Sequence, residues 1–306
     1  MAALLAPWSA AQGQDWPRSP LKIVVPFPPG GIDIVTRLIA DRLAQRLGQP
    51  VLVEHRPGAA GNIAMESVAR SPADGSTWLM TNAILAVNPA LYKIRYDPLR
   101  DLVPVLPVAR MPLLVYARRD LPADDPESLT RALRQAPAGL SCGNAGGGTR
   151  LTCEMLAQHS GAKVLSVPFK GLAPAMTELA AGRLDLAIGP AQVGRALSEE
   201  GRIKAIARTT AEDGTASTVA PAVRAMQGLA LDTWYGLFAP AGTDPQWIAR
   251  INREVNALLA DPDTHRRVEA LEMQVTGGSA DSLARQLQSD IERYRRIATQ
   301  AGLQPE

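Results

Sequence analysis

Residues able to do chemistry are sparse in this chain, and the ones that stand out are glycines. The run Lys22-Ile23-Val24-Val25-Pro26-Phe27-Pro28-Pro29-Gly30-Gly31-Ile32-Asp33 drives an apolar strand into a Pro/Gly turn, with an amphipathic helix opening behind it. A second run, Gly143-Asn144-Ala145-Gly146-Gly147-Gly148-Thr149, repeats the arrangement in the other half. Such a unit aims several backbone N–H groups, and the positive end of a helix dipole, at one point. That suits an anion held by main chain rather than by formal charge. The first run lacks the Lys-Ser/Thr ending of a phosphate loop and the third glycine of a dinucleotide fingerprint, so nucleotide binding is disfavoured. Asp33 reads as a helix cap before a ligand contact, since a bare carboxylate there would repel an anion. Lys170, in a turn between Phe169 and Gly171, and Arg150 are the candidate counter-charges for the cleft; Arg150, near a helix start where a cation opposes the dipole, has an outward position in solvent as its alternative. No His/Asp/Ser or paired-carboxylate set stands at useful spacing, so no catalytic centre is expected.

Positioning these turns requires an α/β framework, and the bulk properties allow one. At 306 residues the chain is long enough for two lobes with their own cores. The 32 Lys+Arg nearly cancel the 30 Asp+Glu, without a block of like charge, which argues against a nucleic-acid partner. No apolar stretch approaches the roughly 20 residues of a spanning helix. Met1 to Ala11 reads as the back half of a secretory signal without its basic leading segment, which makes 1–20 a leader remnant or unstructured start. His55, His159 and His265 are isolated and there is no CxxC, so no metal or cofactor is expected. Export permits a bridge between Cys142 and Cys153. Yet one closes a strand and the other sits inside the next helix, a geometry expected to hold their Cα atoms beyond about 7 Å; the pairing stays open, weighted against.

Strand-like and helix-like segments alternate throughout, which predicts mostly parallel sheets. Lys22–Val25 is the first strand. The helix behind it carries Val35, Leu38, Ile39, Leu43 and Leu47 on one stripe and ends at Gly48. Strands at 51–54 and 77–80 follow, the latter ending at Thr81-Asn82, with the glycine-rich turn Gly58–Asn62 between them. Extended segments cover 103–109 and 113–117. A second set of units then spans 127–207, with Gly189-Pro190 closing the strand at 185–188. The apolar run Trp234–Pro240 precedes helices over 245–259, 262–271 and 280–299. Trp234 and Tyr235 are expected in hinge and core packing, with a cleft-lining aromatic as the alternative.

Taken together these segments resemble the extracytoplasmic solute-binding receptors of tripartite tricarboxylate transporters, the Bordetella-uptake-gene (Bug) family. Pro26–Gly31 with Asp33 is similar to the family's first ligand loop, and His55-Arg56-Pro57-Gly58-Ala59-Ala60-Gly61-Asn62-Ile63 to its Asn-Arg-Pro-Gly-Ala-Gly-Gly-Asn-Ile stretch. Ala73–Thr77, Thr81-Asn82, Asn88–Tyr92, Tyr96–Pro98, Val167–Gly171 and Trp234–Thr243 follow in the family's order. There are departures. Ile32 alone separates Gly31 from Asp33 where the family has two residues. Gly146-Gly147-Gly148-Thr149-Arg150-Leu151 replaces a Gly-Ser-Ser-x-His-Leu pattern, and Gly189-Pro190 stands where Asp or Asn is common.

The resemblance implies a two-lobed periplasmic binding protein of the type II-like Venus-flytrap kind, hinged on two crossing strands. It also implies a small carboxylate ligand, no catalysis, and delivery to the membrane subunits of a tripartite tricarboxylate transporter. The expected lobes are 21–111 with 238–306, and 112–237, in a monomeric periplasmic receptor. The candidate ligand contacts are Phe27, Pro28, Gly30, Gly31, Asp33, Thr81 and Asn82 at one end of the solute. Gly143, Asn144, Gly146, Gly147, Gly148, Thr149, Lys170, Gly171 and Gly189 face them. A sensor subunit signalling to a membrane kinase, or an enzyme on the same fold, are the alternative outputs.

Overall fold

The computed structural model describes residues 16–209 and 232–306. The expected leader lies outside the described residues up to residue 15. From Trp16 onward the chain is docked: its ring stacks on Trp247 at 5.4 Å and meets Trp78 edge-on at 6.0 Å.

The first lobe opens with β1 (Leu21–Val25), α1 (Gly31–Leu47), β2 (Val51–His55), a 3-10 turn at Ala59–Gly61, α2 (Asn62–Ala69), β3 (Thr77–Asn82), α3 (Ile84–Leu91) and β4 (Leu102–Pro112). The second lobe holds β5 (Leu114–Arg118), α4 (Pro126–Gln135), β6 (Leu140–Asn144), α5 (Gly147–Ser160), β7 (Val164–Pro168), α6 (Leu172–Ala180), β8 (Leu186–Gly189), α7 (Ala191–Glu199) and β9 (Ile203–Arg208). The chain then returns through β10 (Asp232–Pro240) to α8 (Pro245–Leu259), α9 (Pro262–Glu269), β11 (Gln274–Val275) and α10 (Ala280–Gln300).

Two sheets result, ordered β11-β4-β10-β3-β1-β2 and β7-β6-β8-β5-β9. The expectation of mostly parallel sheets holds only for their β-α-β parts. β1 pairs in parallel with β2 and β3, and β6 with β7 and β8. β10, by contrast, runs antiparallel to β3 and β4, and β5 antiparallel to β8 and β9. A chain that leaves one lobe and later re-enters it crosses in opposite directions, and these crossing strands insert within the sheets instead of extending the parallel order.

Burial follows the sheets. One apolar cluster lies on the α1/α8 face of the first sheet, around Val35, Ile39, Trp78, Val255 and Leu258. A small one sits under α6 and α7, around Tyr116, Met176 and Leu179. The third runs unbroken between lobes, from Leu79, Trp234 and Tyr294 to Val115, Leu151 and Leu156. Helix α3 belongs to this core and has no counterpart in the sequence reading. Leu85, Ala86, Val87, Ala90 and Leu91 are all buried, and a helix covered all round shows no apolar stripe.

The two cysteines are bridged, with Cα atoms 6.0 Å apart. The expectation against a bridge fails because α5 begins at Gly147, two residues earlier than the sequence suggested. The helix doubles back over β6 and brings its second turn onto Cys142.

Candidate functional site

Between the sheets lies a cavity of about 280 Å³. The first lobe contributes Phe27, Ala60, Asn82, Ile84, Asn88 and Tyr92. Met111, Leu113, Thr233 and Tyr235 come from the crossing strands and the joint between them, and Ala145, Gly146, Gly147, Gly148, Thr149, Leu172 and Pro190 from the second lobe. None of these is ionisable at neutral pH. A larger recess of about 710 Å³ lies elsewhere on the first lobe, beside Trp16, Asp74, Trp247 and Arg250. It meets neither glycine turn and its polar groups are engaged: the Asp74 carboxylate accepts from the Ser76 amide at 2.9 Å, and Arg250 donates to the Trp16 carbonyl. The smaller cavity is therefore the candidate site.

The second glycine run makes the site's donors. β6 ends at Asn144, whose Oδ1 accepts from the Gly146 amide at 3.1 Å while its Nδ2 donates to Ser166 Oγ at 2.9 Å. Thr149 Oγ1 accepts from the Ala145 amide at 3.0 Å and donates to the Gly146 carbonyl at 2.8 Å. These bonds tie down the turn. Gly146 (φ 81°) and Gly147 (φ 49°) occupy left-handed backbone that suits glycine. No side chain caps α5; the amides of Gly147 and Gly148 have no partner among the described residues, and both residues line the cavity. Two free amides at the positive end of a fourteen-residue helix form a place for a negative charge.

Three side chains add polarity to the walls. The Tyr92 hydroxyl lies 3.6 Å from where a Cβ on Gly146 would sit. Burial pushes the Tyr235 phenol up, so it stays a neutral donor. Asn88 is buried; its Nδ2 donates to the Ala60 carbonyl at 3.0 Å and to Asn62 Oδ1 at 2.8 Å. Asn82, Thr149 and Thr233 are further polar members of the wall, and Phe27, Ile84, Met111, Leu113, Leu172 and Pro190 are its apolar side chains.

Of the sequence-derived candidates, Phe27, Asn82, Gly146, Gly147, Gly148 and Thr149 meet at this cavity. Others stand apart from it. Pro28, Gly30 and Gly31 are exposed and do not line it. Asp33 is not the helix cap: Gly30 holds that position without a side-chain bond, and Asp33 lies inside the first turn of α1. Its buried carboxylate sits 2.7 Å from His55 Nε2 and 2.9 Å from Arg37 Nε. Thr81 is wholly buried beside the site. Asn144 acts one layer back, through the turn it ties. Gly143 and Gly189 answer to packing, since a Cβ would come within 2.6 Å of Leu184 and 2.8 Å of Val193 respectively. Lys170 is exposed, and neither it nor Gly171 lines the cavity. Arg150 pairs with Glu306 at 3.2 Å.

The wall residues missed in the sequence are Ala60, Ile84, Asn88, Tyr92, Met111, Leu113, Ala145, Leu172, Pro190, Thr233 and Tyr235. Asn88 and Tyr92 stood in a quoted motif and Tyr235 in the crossing run. Which face each would present depends on a helix the apolar pattern hides and on the twist of a crossing strand. Trp234 is in the core as expected, its Nε1 donating to Asp290 Oδ2 at 2.8 Å.

Among the described residues no helix is long and apolar enough to cross a membrane. The family model described as "Tripartite tricarboxylate transporter family receptor" matches residues 35–303. Protein BugT of Bordetella pertussis is 35% identical over 271 residues, covering 84% of this chain and 81% of BugT. The structure of the periplasmic binding protein BugD superposes with a TM-score of 0.78 at 28% identity, over 95% of this chain and 100% of that one. The structure of R. palustris Rpa4515 with adipate gives 0.81 at 31% identity, over 95% and 100%. With both sequence and two-lobed fold matching, this chain belongs to the receptor family of the tripartite tricarboxylate transporters.

Proposed function

We propose that the protein is a periplasmic receptor that encloses a small organic carboxylate between its lobes and presents it to the membrane subunits of a tripartite tricarboxylate transporter. It works as a monomer and binds without turnover. The observation that carries this reading is the pair of unpartnered amides at Gly147 and Gly148, two residues that line a cavity without formal charge. A carboxylate satisfies them with charge-assisted hydrogen bonds; a neutral solute gains less from the helix dipole. The adipate held by Rpa4515 supports the solute class. At about 280 Å³ the cavity is at the small end for ligand sites, which fits a compact acid. Lobe motion about Met111–Leu114 and the start of β10 converts binding into a recognisable shape, because the solute contacts both walls only when they face each other.

Isothermal calorimetry against a panel of mono- and dicarboxylates that includes adipate and malate tests the reading. Saturable heat with at least one acid is expected. Silence with every acid, beside tight binding of an uncharged solute, would overturn it.

A further inference from the structure

The lobes touch along two faces that differ in how much apolar surface they bury. On one, α5 of the second lobe packs against α3 and α10 of the first over the continuous apolar core, with Gln158 Nε2 donating to the Ile297 carbonyl at 3.0 Å and Arg150 pairing with Glu306 at 3.2 Å. On the other, α7 meets the segment ahead of β11 through polar contacts. The Gln192 side-chain amide donates to the Leu271 carbonyl and lies 3.3 Å from Met111 Sδ, and the Arg195 guanidinium pairs with the Glu272 carboxylate. The cavity lies between these faces, with Gly146–Thr149 on the first side and Pro190, which caps α7, on the second.

The 271–273 segment is held in place for this contact. Glu272 is 7% exposed and sits at φ 58°. A residue with a full side chain keeps that left-handed backbone only where its surroundings fix it. Met273 beside it is buried, and its Cε would lie 3.1 Å from a Cβ placed on Gly31. Two residues of the segment thus grip the second lobe, while the third packs under the start of α1.

We infer that Gln192, Arg195 and Glu272 form a latch that holds the lobes together on the α7 face, across the cavity from α5, positioning the cavity walls without touching the solute. Apolar contact keeps much of its buried area through a small rotation about the crossing strands, so the α5–α3–α10 face yields gradually. A hydrogen-bonded ion pair is short-ranged and directional, so the α7 face is either made or broken. Its carboxylate is only 5% exposed against 37% for the guanidinium, and separation must rehydrate both. The latch raises the population of the closed form before solute arrives, and apparent affinity scales with that population.

The inference goes beyond the proposed function, and its test needs no solute. Small-angle X-ray scattering is recorded on the dialysed full-length protein and on the variants Arg195→Met, Arg195→Lys and Glu272→Gln, with circular dichroism as the check on folding. A compact chain of this length has a radius of gyration of roughly 19 Å, and Arg195→Met is expected to raise the measured value by about 1 Å. Arg195→Lys keeps the charge and is expected to stay with the wild type. Should Glu272→Gln fail to fold, the Arg195 variants, on a part-exposed face of α7, decide alone. Identical radii for the wild type and a folded Arg195→Met variant would overturn the latch, as would a Lys variant as expanded as the Met one.

Discussion

At the scale of single residues, the site depends on groups with no side-chain chemistry. Gly147 keeps a left-handed φ of 49° in the cavity wall, and a Cβ there would lie 3.5 Å from Ile84 Cγ2 of the other lobe. Gly147→Ala should cost about 1–2 kcal/mol of backbone strain. That strain turns the free amides, so carboxylate affinity is expected to fall at least tenfold by calorimetry while the melting temperature moves by only a few degrees. Tyr235, on the crossing strand β10, is another residue of the wall. Tyr235→Phe removes one neutral hydrogen bond, worth about 1 kcal/mol, or roughly a fivefold loss of affinity. An unchanged dissociation constant would remove Tyr235 from the site and leave it as packing.

At the scale of elements, two helices are pinned by contacts that can be tested without ligand. The Cys142–Cys153 bridge ties α5, the helix that carries the free amides, to β6. Closing so short a loop restricts the unfolded chain by roughly 3 kcal/mol. The double variant Cys142→Ala/Cys153→Ala should therefore melt several degrees lower, and reducing agent should shift the wild type the same way and leave the variant unmoved. In the first lobe, Asp261 caps α9 through the Thr264 amide and pairs with Arg42 of α1. The Thr264 amide, then the Arg42 guanidinium, hold its carboxyl down to about 2. A carboxyl depressed in the folded state stabilises fully above the ordinary carboxylate range near pH 4 and loses that contribution as pH falls towards 2. The stability gap between wild type and Asp261→Asn, measured by urea unfolding, should be constant above pH 5 and close between pH 4 and 2.

At the scale of the whole molecule, binding across two lobes links the solute to the fold. A carboxylate that contacts only the folded, closed form adds stability as its concentration exceeds the dissociation constant, about 2.7 kcal/mol at a hundredfold excess. Thermal melts with and without the best acid of the calorimetric panel should show this rise. They should also show less of it in Gly147→Ala at equal concentration. A rise undiminished by that substitution would place the acid away from α5.

Much of this was legible in the residues. Alternating strand and helix patterns, the stop at Gly48 and the two glycine turns follow from local chemistry: φ preferences, apolar stripes and capping act within a few residues. The order of the quoted motifs carried the family, because fold-level signals accumulate along a chain. What local pattern could not decide was which turn faces the cavity. Both runs leave a helix without a side-chain cap, but the first reaches the wall only through Phe27 while its glycines sit exposed and the second forms the wall, a matter of how the lobes are set on their crossing strands. The same holds for Asp33, drawn from the cap by His55 twenty-two positions away. It holds for Cys153, brought over Cys142 by an earlier helix start, and for Tyr92 and Tyr235, which share the cavity wall only once β10 has returned to the first sheet. Sequence sets what each segment tends to be; packing between distant segments sets what it faces.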